Sequence, residues 1–145
     1  MKKSLILTVG LPRSGKSTWA RQQGFPVVSP DAIRLALHGK RFLASEEPAV
    51  WKMACLMVDA LFKAGNETVI VDATNITEKR RAAWKERFGP ESALAGDVFL
   101  HVVTTPPDEC IRRAQEEQDA EIIPVIERMA QEWDLDKPWE ESNGC

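Results

Sequence analysis

Gly10-Leu-Pro-Arg-Ser-Gly15-Lys16-Ser17 satisfies the spacing GxxxxGK[ST] at every position. Each residue type in such a run has a distinct chemical role. Backbone N–H groups of the loop and of the following helix start converge on a phosphate. Gly10 and Gly15 allow backbone shapes that a side chain would obstruct. Pro12, Arg13 and Ser14 fill the loop, and Thr18 follows it. Lys16 brings a point charge toward the β- and γ-phosphates of a nucleotide. The Ser17 hydroxyl is a ligand type that suits Mg²⁺. Arg13 either reaches the nucleotide or is a solvated loop arginine, and the sequence supports both readings equally.

Two further places carry carboxylates. Asp31 and Arg34 stand three residues apart, so on a helix they share a face. There the carboxylate could take a hydroxyl proton during phosphoryl transfer, and the guanidinium could hold a phosphate of the acceptor. The plain alternative is a first-turn acid stabilised by the helix dipole, with a surface ion pair. Val69-Ile70-Val71-Asp72 is an apolar run ending in an acid, the pattern of a Walker B residue that orients a water on Mg²⁺. Thr74 and Asn75 follow and are expected at the same edge as substrate contacts. Arg112 and Arg113 lie on a later helix, where an arginine can meet charge on a transferring phosphoryl group. Arg80 and Arg81 read more simply as a solvated helix face, and His101 as a core or satisfied polar group. Trp51, Trp84 and Trp133 read as packing, whereas Trp19 is either packing or a neighbour of a nucleobase.

These residues need elements that bring them to one edge. Ser4–Val9, Val27-Val28, Thr68–Ala73 and Val98–Thr104 read as strands. Helices are expected from Lys16 to about Gln23, and from Pro30, with Ser29 as cap, to His38. A long one runs from the Ser45–Pro48 region to Ala64. Thr77 caps another that ends at Phe88, Thr105 and Asp108 form a capping box for a helix over 108–117, and Pro124 opens the last. Strand–helix alternation predicts an α/β fold, a three-layer α/β/α sandwich with a mainly parallel sheet. In such sheets ligands sit at the carboxyl ends of the strands, where the residues above cluster.

The chain has 145 residues, 43% of them hydrophobic, and a net charge of −3. Its length predicts a single domain over 1–145. Disorder and a basic nucleic-acid coat are excluded by this balance. The charge is uneven: residues 1–41 hold eight Lys/Arg against one acid, and residues 108–145 hold four against twelve. That split suggests an N-terminal third facing phosphates and an acidic tail. Cys55, Cys110 and Cys145 form no CxxC, and with two separated histidines they offer no zinc ligand set. Free thiols predict a reducing, cytoplasmic setting. Lys2-Lys3 precedes an apolar stretch that stops at Gly10, which reads as a strand rather than a leader.

Together these segments resemble the 5′-kinase domain of phage-type polynucleotide kinases, a P-loop NTPase group with a nucleoside-kinase-like fold, over nearly the whole chain. GxPxSGKSTWAR at Gly10–Arg21 is similar to that family's phosphate loop and next helix. Asp31-x-x-Arg34 resembles its general base and the arginine that grips the acceptor's 3′-phosphate. Thr74-Asn75, followed by Arg80-Arg81-x-x-Trp84, resembles its substrate-channel segment, and Arg113 falls at a lid arginine. The resemblance implies ATP and Mg²⁺ as cofactors, with a 5′-hydroxyl nucleic-acid end as acceptor. Three departures stand out: Arg13 replaces a glycine, Asp72 comes one residue before the expected acid (Ala73 holds that place), and Glu117 replaces a second lid arginine. A nucleoside, sugar or antibiotic kinase is the alternative reading, and a non-catalytic nucleotide-binding module is a third.

Overall fold

The computed structural model describes residues 2–135, 137 and 139. Its four strands form one parallel sheet in the order β2-β3-β1-β4. β1 (Ser4–Val9) is central, with Leu7 beside Val71 of β3 (Thr68–Val71) on one side and beside Leu100 of β4 (Asp97–Val102) on the other. β2 (Val27–Val28) pairs with β3 at one edge. Each strand is followed by helix, and a crossover helix returns the chain in the same direction, which is why the sheet is parallel. The helices are α1 (Lys16–Gln22), α2 (Pro30–His38), α3 (Glu47–Lys63), α4 (Glu78–Phe88), α5 (Pro107–Glu116) and α6 (Ile123–Glu132). The expected α/β/α sandwich is the observed architecture.

Two buried clusters hold it together. In the larger, Val50, Ala54, Val58 and Phe62 recur every fourth residue along α3 and pack on Leu5, Leu7, Val69 and Val71 of the sheet. The smaller gathers Val9, Leu11, Cys110, Ala114, Ile126 and Trp133, and so fixes α5 and α6 beside the end of β1.

Local chemistry sets most boundaries. Ser29 accepts the Ala32 N–H and Thr77 accepts the Arg80 N–H, capping α2 and α4 as the sequence predicts. The capping box at Thr105 does not form. Pro106 precedes α5, and the Thr105 hydroxyl donates instead to the Ser14 carbonyl at 2.8 Å. A long-range partner thus outcompetes the local one. A short 3₁₀ turn at Ala44–Glu46 delays α3 to Glu47. β4 lies at the other edge of the sheet, and Phe99, Leu100 and Val102 are exposed on it. Among the described residues no helix is long and apolar enough to cross a membrane, and Cys55 and Cys110 are free thiols.

Candidate functional site

The loop from Gly10 to Gly15 joins β1 to α1. Hydrogen bonds from both flanks hold it: the Gly10 N–H donates to the Thr74 carbonyl at 3.0 Å, and the Ser14 N–H to the Leu11 carbonyl at 3.2 Å. A Cβ on Gly10 would lie 2.7 Å from the Ser14 hydroxyl oxygen, so any side chain here would have to displace that buried hydroxyl. Gly15 caps α1 at φ 100, in the left-handed region. The Ser14 hydroxyl is buried with no hydrogen-bond partner. A buried orphan inside a concave loop is the feature an incoming phosphate would satisfy.

Lys16 folds back over the loop, and its ammonium donates to the Leu11 carbonyl at 3.2 Å. Burial pulls its pKa below the usual lysine value, and the fields of Asp72 and Asp31 oppose that shift. Ser17 Oγ donates to Asp72 Oδ2 at 2.6 Å, across from the end of β3. Asp72 Oδ1 is buried and unpartnered. One hydroxyl and one carboxylate with a spare oxygen suit Mg²⁺, which keeps several waters and takes phosphate oxygens for the rest. No group of three or more His, Cys, Asp or Glu side chains could hold a metal among the described residues. Asp72, and not the following Ala73, is the residue that meets Ser17.

Thr8 ties the sheet edge together: its hydroxyl donates to the Ala73 carbonyl at 2.7 Å and accepts the Ala73 N–H at 3.0 Å. Asn75, expected at the substrate, is turned inward instead. It is 2% exposed, and its amide donates to the Thr8 carbonyl at 2.9 Å. Its φ of 46 explains the preference for Asn at this corner. Thr74 stays half-buried beside the loop that its carbonyl supports.

Asp31 stands at the start of α2 with its side chain 79% exposed and accepts from Arg34 Nη1 at 2.7 Å. Arg34 is only 14% exposed, because Glu47 at the start of α3 grips it with two bonds, Nε–Oε2 at 2.9 Å and Nη2–Oε1 at 2.6 Å. Those bonds hold the Glu47 carboxyl below its usual pKa. Arg80 stacks its guanidinium on the Trp51 ring at 3.5 Å, close to this pair. Arg80 is thus no plain solvated arginine, and burial lowers its pKa.

On the other flank, Arg113 Nη1 donates to the Arg13 carbonyl at 3.0 Å, over the phosphate loop. Arg112, expected beside the nucleotide, instead forms ion pairs with Glu109 and Glu116 along its own helix. The i,i+3 and i,i+4 spacing puts both acids within reach on the same helix face. Arg13 adopts φ 66, a left-handed shape unusual for a non-glycine. Its guanidinium meets Glu117 at 2.8 Å and also pairs with Asp119. Two departures from the expected pattern therefore touch each other.

Trp19 stacks flat on His101 at 3.5 Å, so one face of its ring is taken within the protein. A groove of about 320 Å³ between α4 and β4, lined by Arg81, Lys85, Val98 and Leu100, takes in Arg81 of the segment that resembles a substrate channel but no residue of the phosphate loop and neither Asp31 nor Arg34. Sequence reasoning does not reach Glu47, Thr8, Asp119 or Arg41. The apolar run that stops at Gly10 marks Thr8 as a strand residue, but nothing local signals partners as far apart as Arg13 and Asp119.

The family model described as AAA domain matches residues 5–133. The chain belongs to the AAA domain family. This AAA domain is a P-loop kinase-like domain in its fold. A chain in a solved Pnkp1/Rnl/Hen1 complex is 30% identical with TM-score 0.67, over 77% of this chain and 39% of that one. A chain of the Pnkp1/Rnl/Hen1 RNA repair complex is 22% identical with TM-score 0.67, over 98% of this chain and 50% of that one. The AAA domain thus spans half or less of each of these two neighbours. The APS kinase CysC of Mycobacterium tuberculosis, solved with AMPPNP and APS, shares the fold at 20% identity and TM-score 0.62, over 83% of this chain and 73% of that one.

Proposed function

We propose that this domain transfers the γ-phosphoryl group of Mg²⁺-bound ATP to the 5′-hydroxyl end of a polynucleotide or oligonucleotide. The observation that carries the reading is the exposed Asp31 carboxylate, oriented by an Arg34 that Glu47 locks in place. It stands at the same strand-end edge as the phosphate loop. The resemblance to a chain of an RNA repair complex supports a nucleic-acid acceptor.

In this reading Gly10 and Pro12 shape the loop, Arg13, Ser14 and Gly15 line it, and Lys16, Ser17 and Thr18 complete the phosphate site at the start of α1. Ser17 and Asp72 would hold Mg²⁺, which would supply neutralising charge to the phosphates. The acceptor oxygen attacks the γ-phosphorus, its proton passes to Asp31, and the bond to the β-phosphate oxygen breaks to leave ADP. Arg113 offsets charge on the phosphoryl oxygens, while Arg34 orients Asp31. Thr74 borders the acceptor path, and Asn75 supports it from beneath.

A second reading has its own observation. Three of the five Arg34 donors are already spent on Glu47 and Asp31, so an acceptor without a phosphate would fit, as in a small-molecule kinase. Labelled γ-phosphate ATP and a 5′-hydroxyl oligonucleotide test the first reading. Transfer should fall at least a hundredfold in Asp31→Asn; transfer no greater than that variant's would overturn the proposal. Transfer to a small hydroxyl compound alone would establish the second.

A further inference from the structure

The contacts of Arg13 run in two directions. Its backbone lies in the phosphate loop, where its carbonyl accepts from Arg113 at 3.0 Å. Its side chain leaves the loop and pairs with Glu117 and Asp119, at the corner that follows α5. Asp119 is further clamped by Arg41, through Nη1 at 3.0 Å and Nη2 at 2.9 Å. Only 12% of the Asp119 side chain is exposed. Gln118, between the two acids, has φ 57. Two non-glycine residues in left-handed shapes thus face each other across the ion pairs, and such strain persists only where surrounding contacts impose it.

We propose that Arg13 is a positioning residue, which straps the 117–119 corner to the phosphate loop through Glu117, Asp119 and Arg41 and thereby sets Arg113 over the phosphates. Its two terminal nitrogens, Nη1 and Nη2, are taken by carboxylates, while Nε is buried without a partner; the guanidinium thus points to the 117–119 corner and is not the nucleotide's ligand. The Glu117 carboxylate is likewise spent on Arg13, so its negative charge is neutralised before a phosphate arrives. The strap and Arg113 belong to one helix end: the Glu117 N–H donates to the Arg113 carbonyl at 3.1 Å, and the Asp119 N–H to the Ala114 carbonyl at 2.9 Å. Loosening the corner loosens the last turn that carries Arg113.

The turnover consequence rests on the phosphoryl-transfer reading above; the strap itself does not. Arg13→Gly is the direct probe, because glycine suits φ 66 and keeps the backbone N–H. The Glu117→Gln/Asp119→Asn double variant removes the strap from its other end. Amide hydrogen exchange at positions 117 and 119 in the nucleotide-free protein, taken relative to each residue's intrinsic rate, should quicken at least tenfold in both variants. ATP affinity, measured by calorimetry, should change less than threefold in both. The kcat for transfer should fall ten- to hundredfold with KM for ATP nearly constant, and Arg13→Lys should restore part of it. A direct nucleotide role for the guanidinium predicts the opposite pattern. Arg13→Gly would then weaken ATP binding tenfold or more, and the double variant would tighten it by releasing Arg13. That pattern overturns the strap, as does unchanged exchange at Glu117 and Asp119 in Arg13→Gly. If wild-type protein transfers no phosphate to an oligonucleotide, the kinase reading fails while exchange and affinity still decide the strap.

Discussion

Lys16 must stay charged to hold phosphates, yet the loop that surrounds it penalises the charge. Without a nucleotide, its ammonium has one carbonyl partner. Lys16→Met keeps the length of the side chain and removes the desolvation cost. It should raise the melting temperature of the free protein by about 3 °C, on the scale of roughly 1 kcal/mol for a domain of this size. It should also abolish the further rise that ATP gives wild type, and thermal melts with and without ATP measure both effects. Gly10, Gly15, Lys16 and Ser17 are legible as a strand–loop–helix pattern without knowledge of the fold, because local spacing alone carries it. Glu47 is not, because its partner Arg34 lies thirteen residues away across a turn. Asn75 misleads for a related reason. Its type is as suited to closing a corner against Thr8 as to touching a substrate, and only the burial of its amide separates the two.

At the scale of elements, α2 matters most because Asp31 is the second residue of its first turn. The Ser29 cap fixes that turn. Ser29→Ala should cost about 1 kcal/mol of stability, read from denaturant melts. It should also lower kcat more than ATP affinity, since Asp31 and not the phosphate loop depends on the cap. Element positions are largely legible where apolar period and cap agree, as for β1, α2 and α4. They slip where a distant contact claims the capping group. Thr105 looks like a cap from its neighbours alone, but the phosphate loop sits close enough to take its hydroxyl. The lid end of α5 is the least legible part, because Glu117 looks like an obstacle to a phosphate unless Arg13 is known to stand beside it.

For the whole molecule, the charge split takes a different meaning once the chain is folded. The basic first third and the acidic last third meet through Arg13, Arg41, Glu117 and Asp119. Part of the positive charge expected to face phosphates is therefore consumed inside the protein. Lys16 and Arg113 stay at the strand ends, and Arg80 lies on Trp51 beside an Arg34 that is itself paired with Glu47 and Asp31. The outer edge of β4 has a different consequence, for the protein in bulk solution. Among the described residues nothing pairs with that edge, its one acid, Asp97, is matched by Lys2 at 3.2 Å, and Phe99 is 52% exposed. An apolar, open edge without lysine or proline is a template for haphazard stacking of copies. Phe99→Lys should raise the protein concentration at which light scattering begins, with the melting temperature shifted by no more than about 2 °C. On this expectation, the concentration at which copies of the domain begin to associate depends on the strand farthest from Asp31 in the sheet order.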